Sequence, residues 1–173
     1  MRLLSVPRCL ALLCAALACA CAQAVERVEL EAAIVYNILL FVEWPADAGL
    51  IAGGPLVLCV DALSPLSAPL KSLAGRPVRS HRLEPRDLPA NDARGCHAVV
   101  LDAAAAKGAP ARRALKGLPL LVIAGEAVDD DSAAIRLAHA AGRIAFDVDL
   151  GVARQSRLQI SSRLLRLARK VSE

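Results

Sequence analysis

Two aspartates sit where α/β proteins commonly do chemistry. Asp61 and Asp102 each close a short apolar run, PLVLCVDA and HAVVLD, so both carboxylates fall at the carboxyl end of a buried strand. A phospho-acceptor or an acid/base pair would occupy such positions. A structural reading competes with it, in which each aspartate caps the following helix or lets the strand meet water, and that reading is favoured. No second acid follows Asp61 and no convincing lysine follows the third apolar strand. His81, His97 and His139 are scattered, without an HxxxH spacing or a cysteine companion, which makes a poor metal set. GxSxG, GxGxxG and Walker A patterns are absent. The expectation is a protein that is not an enzyme, with no metal and no cofactor.

Binding chemistry has better candidates. Arg154, Arg157, Arg163, Arg166, Arg169 and Lys170 form a charge cluster, with Arg163, Arg166 and Lys170 on one face of an expected helix. A solvated face at the cation-favouring end of a helix is one reading. An anion pocket near Arg157 and Arg163, or a partner surface, is the other. Of the four aromatic residues in the chain, Tyr36, Phe41 and Trp44 share the stretch EAAIVYNILLFVEWP. Phe41 reads as a core residue, whereas Trp44, between Glu43 and Pro45 at a helix exit, is a candidate interface anchor.

The chain has 173 residues, enough for one domain with a real core once a targeting segment is removed. Arg2 and Arg8, an apolar run from Cys9 to Ala20 and then Ala22-Gln23-Ala24 have the layout of a secretory signal, giving residues 1–24 as signal peptide and 25–173 as the domain. A retained anchor would need a longer apolar run. A lipid anchor at Cys19 or Cys21 would want a bulky apolar residue three positions earlier, where Ala16 and Ala18 stand. Discounting Arg2 and Arg8 from the 21 basic residues leaves 19 against 17 acidic, too nearly neutral to suggest nucleic acid. Four of six cysteines fall in the signal, leaving Cys59 and Cys96. In an oxidising compartment they would form one bridge, and two buried thiols are the alternative.

The elements that must position these residues read as follows. A helix with Leu30, Ile34, Ile38, Phe41 and Val42 inward runs to about Glu43 or Trp44, where Pro45 ends it. Buried strands are expected at Pro55–Ala62, His97–Asp102 and Pro119–Ala124, with a polar strand near an edge at Pro77–Leu83. Short helices are expected at Pro65–Leu73, Pro110–Leu118 and Leu150–Arg157, a loop at Glu84–Gly95, and a longer last helix at Ile160–Val171. Ala133–Ala138 and Arg143–Asp149 alternate and form a hairpin. The sum is a single α/β domain: a mainly parallel central sheet of about five to six strands, an antiparallel edge hairpin and helices on both faces. If a bridge keeps the first and third strands adjacent, the order 2-1-3-4 puts a crevice near Asp61 and Asp102.

AAIVYNILLFVEWP, PLVLCV, GCHAVVLD and GRIAFDVDLGVARQSRLQISSRLLRLA together resemble the YfiR family of exported bacterial proteins, from about Glu29 to Ala168. The resemblance implies a periplasmic domain that binds the periplasmic sensor region of an inner-membrane diguanylate cyclase and holds it inactive, lowering cyclic di-GMP and biofilm formation. An outer-membrane lipoprotein of the same system and a homodimer are the further partners it brings. It supports a Cys59–Cys96 bridge. A second cysteine pair carried by some relatives is missing, which puts redox control of that kind in doubt. A periplasmic small-molecule sensor module for another signalling system is the competing reading.

Overall fold

The structure is a computed structural model that describes residues 26–89, 93–102, 117–128, 131–140 and 143–173. The expected signal segment and nearly all of the helix expected at 110–118 lie outside the described residues. The chain opens with helix α1, residues 26–39. Its buried stripe is Ala32, Val35, Ile38 and Leu39, continued by Val42, while Leu30 is 53% exposed and Ile34 and Phe41 are only partly covered. The expected stripe was thus right at Ile38 and Val42 and rotated elsewhere. The helix also ends earlier than expected. Two tight turns, Leu40 N–H to Asn37 O and Phe41 N–H to Ile38 O, release the chain into β1, Val42–Glu43. Pro45 favours extended backbone at Trp44 just before it, and a strand partner is available at Gln159–Ile160.

The main sheet has eight strands, more than the five to six expected: β2 Pro55–Val60, β3 Pro77–Val78, β4 His81–Asp87, β5 Ala98–Leu101, β6 Leu121–Ala124, β7 Ile135–Ala140, β8 Arg143–Asp149 and β10 Lys170–Ser172, in the order β10-β8-β7-β6-β5-β2-β4-β3. Pairings from β4 through β2, β5 and β6 to β7 are all parallel. The β7/β8 hairpin is antiparallel, and the four-strand order inferred from the sequence is present. A second ribbon pairs β1 with β9, Gln159–Ile160, antiparallel. Short helices α2 (Ser67–Ser72), α3 (Leu150–Gln155) and α4 (Ser162–Leu165) complete the described elements.

Alternation along the buried strands divides the interior into two layers. Leu56, Leu58 and Val60 face α1 and join Ile123, Ile135, Leu137, Ala153 and Leu164, while Val57 and Cys59 face the other way with Val99, Leu101 and Val122. Both faces are apolar in the middle of the sheet, which is why these segments read as continuous apolar runs.

Two expectations are corrected. The strand expected at Pro77–Leu83 is a hairpin of β3 and β4, and β4 runs on through Pro85 to Asp87 into the expected loop. Near an edge a proline costs no ladder bond when its nitrogen faces outward. The last helix is a single turn, α4, between two strands. Ser161 caps it through its Oγ, and Arg169 N–H donates to the Phe146 carbonyl at 2.9 Å, drawing the chain back onto the sheet as β10. Arg163, Arg166 and Lys170 therefore do not share a helix face.

Candidate functional site

The aspartates at the strand ends are engaged in shaping loops. Asp61 Oδ1 accepts the Leu63 N–H at 2.8 Å, and Asp102 Oδ2 accepts the Ser64 hydroxyl. Ser64 Oγ in turn accepts the Leu66 N–H at 3.1 Å, leading the chain into α2. Ser64 is buried, so the loop between β2 and α2 packs against the carboxyl end of β5 at Asp102. Among the described residues, no group of three or more His, Cys, Asp or Glu is placed to hold a metal.

Cys59 on β2 and Cys96 just before β5 form a disulfide with Cα atoms 5.9 Å apart. It joins two neighbouring parallel strands beside the next functional feature. His97, the residue after Cys96, ties three segments together. Its N–H donates to the Val57 carbonyl at 2.9 Å, its Nδ1 accepts the Val57 N–H at 2.9 Å, and its carbonyl accepts the Trp44 indole N–H at 2.8 Å. Burial pushes the His97 pKa down from its ordinary value, with the nearby His81 adding to the effect. Its Nδ1 serves as an acceptor, which requires the neutral ring.

Trp44 is accordingly half-buried and packed on the core rather than free at the surface. Beside it a small cavity of ≈ 250 Å³ is lined by Val42, Glu43, Trp44, Pro45, Leu50 and His81. Glu43 at its rim pairs with Arg79 at 2.6 Å, and Arg79 is held at φ +54° in the β3/β4 turn. His81 Nδ1 is buried with no hydrogen-bond partner. A second, open groove of ≈ 810 Å³ runs between the first turns of α1 and α2, past Val28, Ala32, Pro65, Ala68 and Leu73.

The candidate arginines have different fates. Arg157, in a left-handed conformation at φ +55°, pairs with Asp47 at 2.5 Å and pins the end of α3 to the loop after Pro45. The guanidinium holds the Asp47 carboxyl below its ordinary range. Arg163 and Arg166 are exposed, and the ion pairs of this region among the described residues, Arg154–Glu173, Arg157–Asp47 and Arg169–Asp147, involve neither. The antiparallel register Val42↔Ile160 and Glu43↔Gln159 carries Trp44 and Pro45 toward the Arg157 side, whereas α4 follows on the Phe41 side, where Ser161 N–H donates to the Phe41 carbonyl at 2.9 Å. The β1/β9 ribbon thus ties the α1 exit to the segment before α4.

One cluster escaped sequence reasoning. His139 Nδ1 lies 2.9 Å from Glu126 and its Nε2 lies 4.0 Å from Glu31 of α1. Burial pushes the Glu31 pKa up, and His139 opposes the shift. No spacing announces three residues that only tertiary packing brings together.

Residues 28–169 match the protein family described as YfiR/HmsC-like. No curated protein matches the chain.

Proposed function

The chain belongs to the YfiR/HmsC-like family, and on that premise we propose that it is a periplasmic regulatory protein that binds the periplasmic sensor domain of an inner-membrane diguanylate cyclase and inhibits the enzyme. Cyclic di-GMP and biofilm formation fall as a result. The family match over residues 28–169 carries this reading. Export with cleavage after Ala24 places the domain in the right compartment, and the Cys59–Cys96 bridge is of the kind such a compartment maintains. An outer-membrane lipoprotein of the same system and a second copy of the chain are its further partners. The role is one of binding rather than catalysis: the strand-end aspartates are consumed in loop hydrogen bonds. The surface of Glu43, Trp44 and Pro45 with the α4 arginines Arg163 and Arg166 is the contact region this reading favours. Mixing the purified protein with the sensor domain of a cyclase from the same genome tests it. Co-elution as a complex is expected, and independent elution at micromolar concentrations contradicts it.

One observation favours a second reading, a small-molecule sensor. The cavity beside Trp44 has an apolar floor, and the orphaned His81 Nδ1 is a buried polar atom in want of a partner. A ligand that occupies it raises the melting temperature of the native protein. His81→Phe removes the orphaned nitrogen and abolishes that rise.

A further inference from the structure

Three side chains from separate parts of the chain meet at the carboxyl ends of β6 and β7. His139, near the end of β7, places its Nδ1 2.9 Å from Glu126 Oε2, in the connection that follows β6. Its Nε2 lies 4.0 Å from Glu31 Oε2 on α1. That nitrogen is sealed from solvent and has no hydrogen-bond partner among the described residues, although the side chain as a whole is 31% exposed. Glu31 is the best covered of the three side chains, at 15% exposed. The other charges that act on the cluster are Arg27 on α1, Asp102 at the end of β5, and Arg169, which acts on Glu126. Across the hairpin His139 stands opposite Ile144, which brings no charge.

This arrangement leaves the neutral ring one hydrogen short. A neutral imidazole carries a single N–H, and an ionised carboxylate only accepts. The hydrogen bond to His139 pushes the Glu126 carboxyl below its ordinary range, so Glu126 stays ionised and draws the ring hydrogen to Nδ1. Nε2 is then a bare lone pair turned toward the Glu31 carboxylate, acceptor against acceptor, at a place solvent does not reach. An unsatisfied buried acceptor of this kind is costly. One added proton removes the conflict: on the ring it makes an N–H that Glu31 accepts, and on Glu31 it makes an O–H that Nε2 accepts. Burial pushes the Glu31 carboxyl up, against the opposing pull of His139, and the nearby Asp102 adds to the rise.

We propose that Glu31, His139 and Glu126 form a proton-operated clasp, which fastens the first turns of α1 to the end of β7 when the cluster gains one proton and slackens when it loses it. His139 and Glu31 share that proton, so it titrates as a property of the pair. Because the Glu31 carboxyl titrates above its ordinary 4.5 in the folded protein, its contribution is complete below 4.5 and is lost as pH rises through the folded value. Glu126 is displaced the other way, and its contribution is lost only as pH falls below 4.5. The clasp is therefore tightest near 4.5 and slackens toward neutrality. α1 is also one wall of the open groove shared with α2, so the clasp sets how firmly that wall is held. The inference does not depend on the proposed regulation.

Hydrogen exchange of the α1 amides in the intact protein tests the clasp, measured at about pH 5 and about pH 7.5, corrected for the intrinsic pH dependence of exchange and referred to the amides of β2 and β5. Relative protection of α1 should be about fivefold or more higher at the lower pH. Glu31→Gln supplies an amide N–H to Nε2 at every pH, and His139→Phe removes both ring nitrogens. Each variant loses the pH response of α1, the first by staying protected and the second by staying unprotected, with the urea midpoint as the check that both fold. Nitrogen NMR of the His139 ring in the unaltered protein gives a readout that needs no variant: at about pH 7.5 the hydrogen sits on Nδ1 and Nε2 is bare. Relative α1 protection indifferent to pH, a pH response that survives in both variants, or a ring hydrogen found on Nε2 at the higher pH overturns the proposal.

Discussion

Trp44 and His97 share a knot of hydrogen bonds that joins the α1 exit to β2 and β5. Trp44→Phe keeps the apolar bulk and removes the donor to the His97 carbonyl, so a loss of about 1 kcal/mol in urea unfolding is expected. The depressed pKa of His97 makes the protein acid-sensitive in a defined window. Because the folded value lies below the ordinary 6.5, the unfolded chain takes up the proton first as pH falls. The stability contributed by neutral His97 is complete above about 6.5 and is lost as pH falls toward its folded value. Asp47, Asp147 and Glu126, all with lowered pKa values, lose their contributions further down, while Glu31, raised by burial, works in the opposite sense. His97→Asn preserves an acceptor near Nδ1 and should flatten melting temperature against pH between 6.5 and 5. An unchanged slope assigns it elsewhere. At this scale Trp44 was legible as a special residue but not as a half-buried one. Its indole finds its acceptor 53 positions away, a contact no local pattern encodes.

Among the elements, the Cys59–Cys96 bridge spans 37 positions and fastens β2 to β5. On the chain-entropy model its removal costs about 4 kcal/mol, a large part of the stability of a domain this size. Cys59→Ser with Cys96→Ser should lower the urea midpoint accordingly, and a shift equivalent to less than about 1 kcal/mol would show that the bridge restrains little. The elements that read correctly from sequence carry their own signals. β2, β5 and β6 are apolar throughout because both faces are buried, and the β7/β8 hairpin alternates because one face is less covered. The misread elements depend on remote partners. The β3/β4 turn has no glycine or asparagine to mark it, and Arg79 takes the left-handed conformation itself. Leu164, Leu165, Leu167 and Ala168 have helical spacing, yet β9 and β10 find strands to pair with on either side of one helical turn. Leu167 is left exposed for that reason.

For the molecule as a whole, the parallel sheet gives a rigid frame on which sequence-distant segments meet. α1 and β1 come from the start of the described chain and β9 from near its last residues, and the β1/β9 ribbon joins them. Fold class and family were both legible, since buried-strand runs and the two long end blocks survive in the order of residues alone. The proposed contact region was legible only in part. Its arginines were visible as a cluster, but the ion pair that occupies Arg157, with none for Arg163 or Arg166 among the described residues, is a property of the folded chain. On the proposed function, this domain restrains a diguanylate cyclase from the periplasmic side. Cellular cyclic di-GMP, measured in a strain lacking the protein and in the same strain with the exported chain restored, tests it most directly. The nucleotide should rise on deletion and return on restoration, and a level indifferent to both, in cells that normally express the protein, would contradict it.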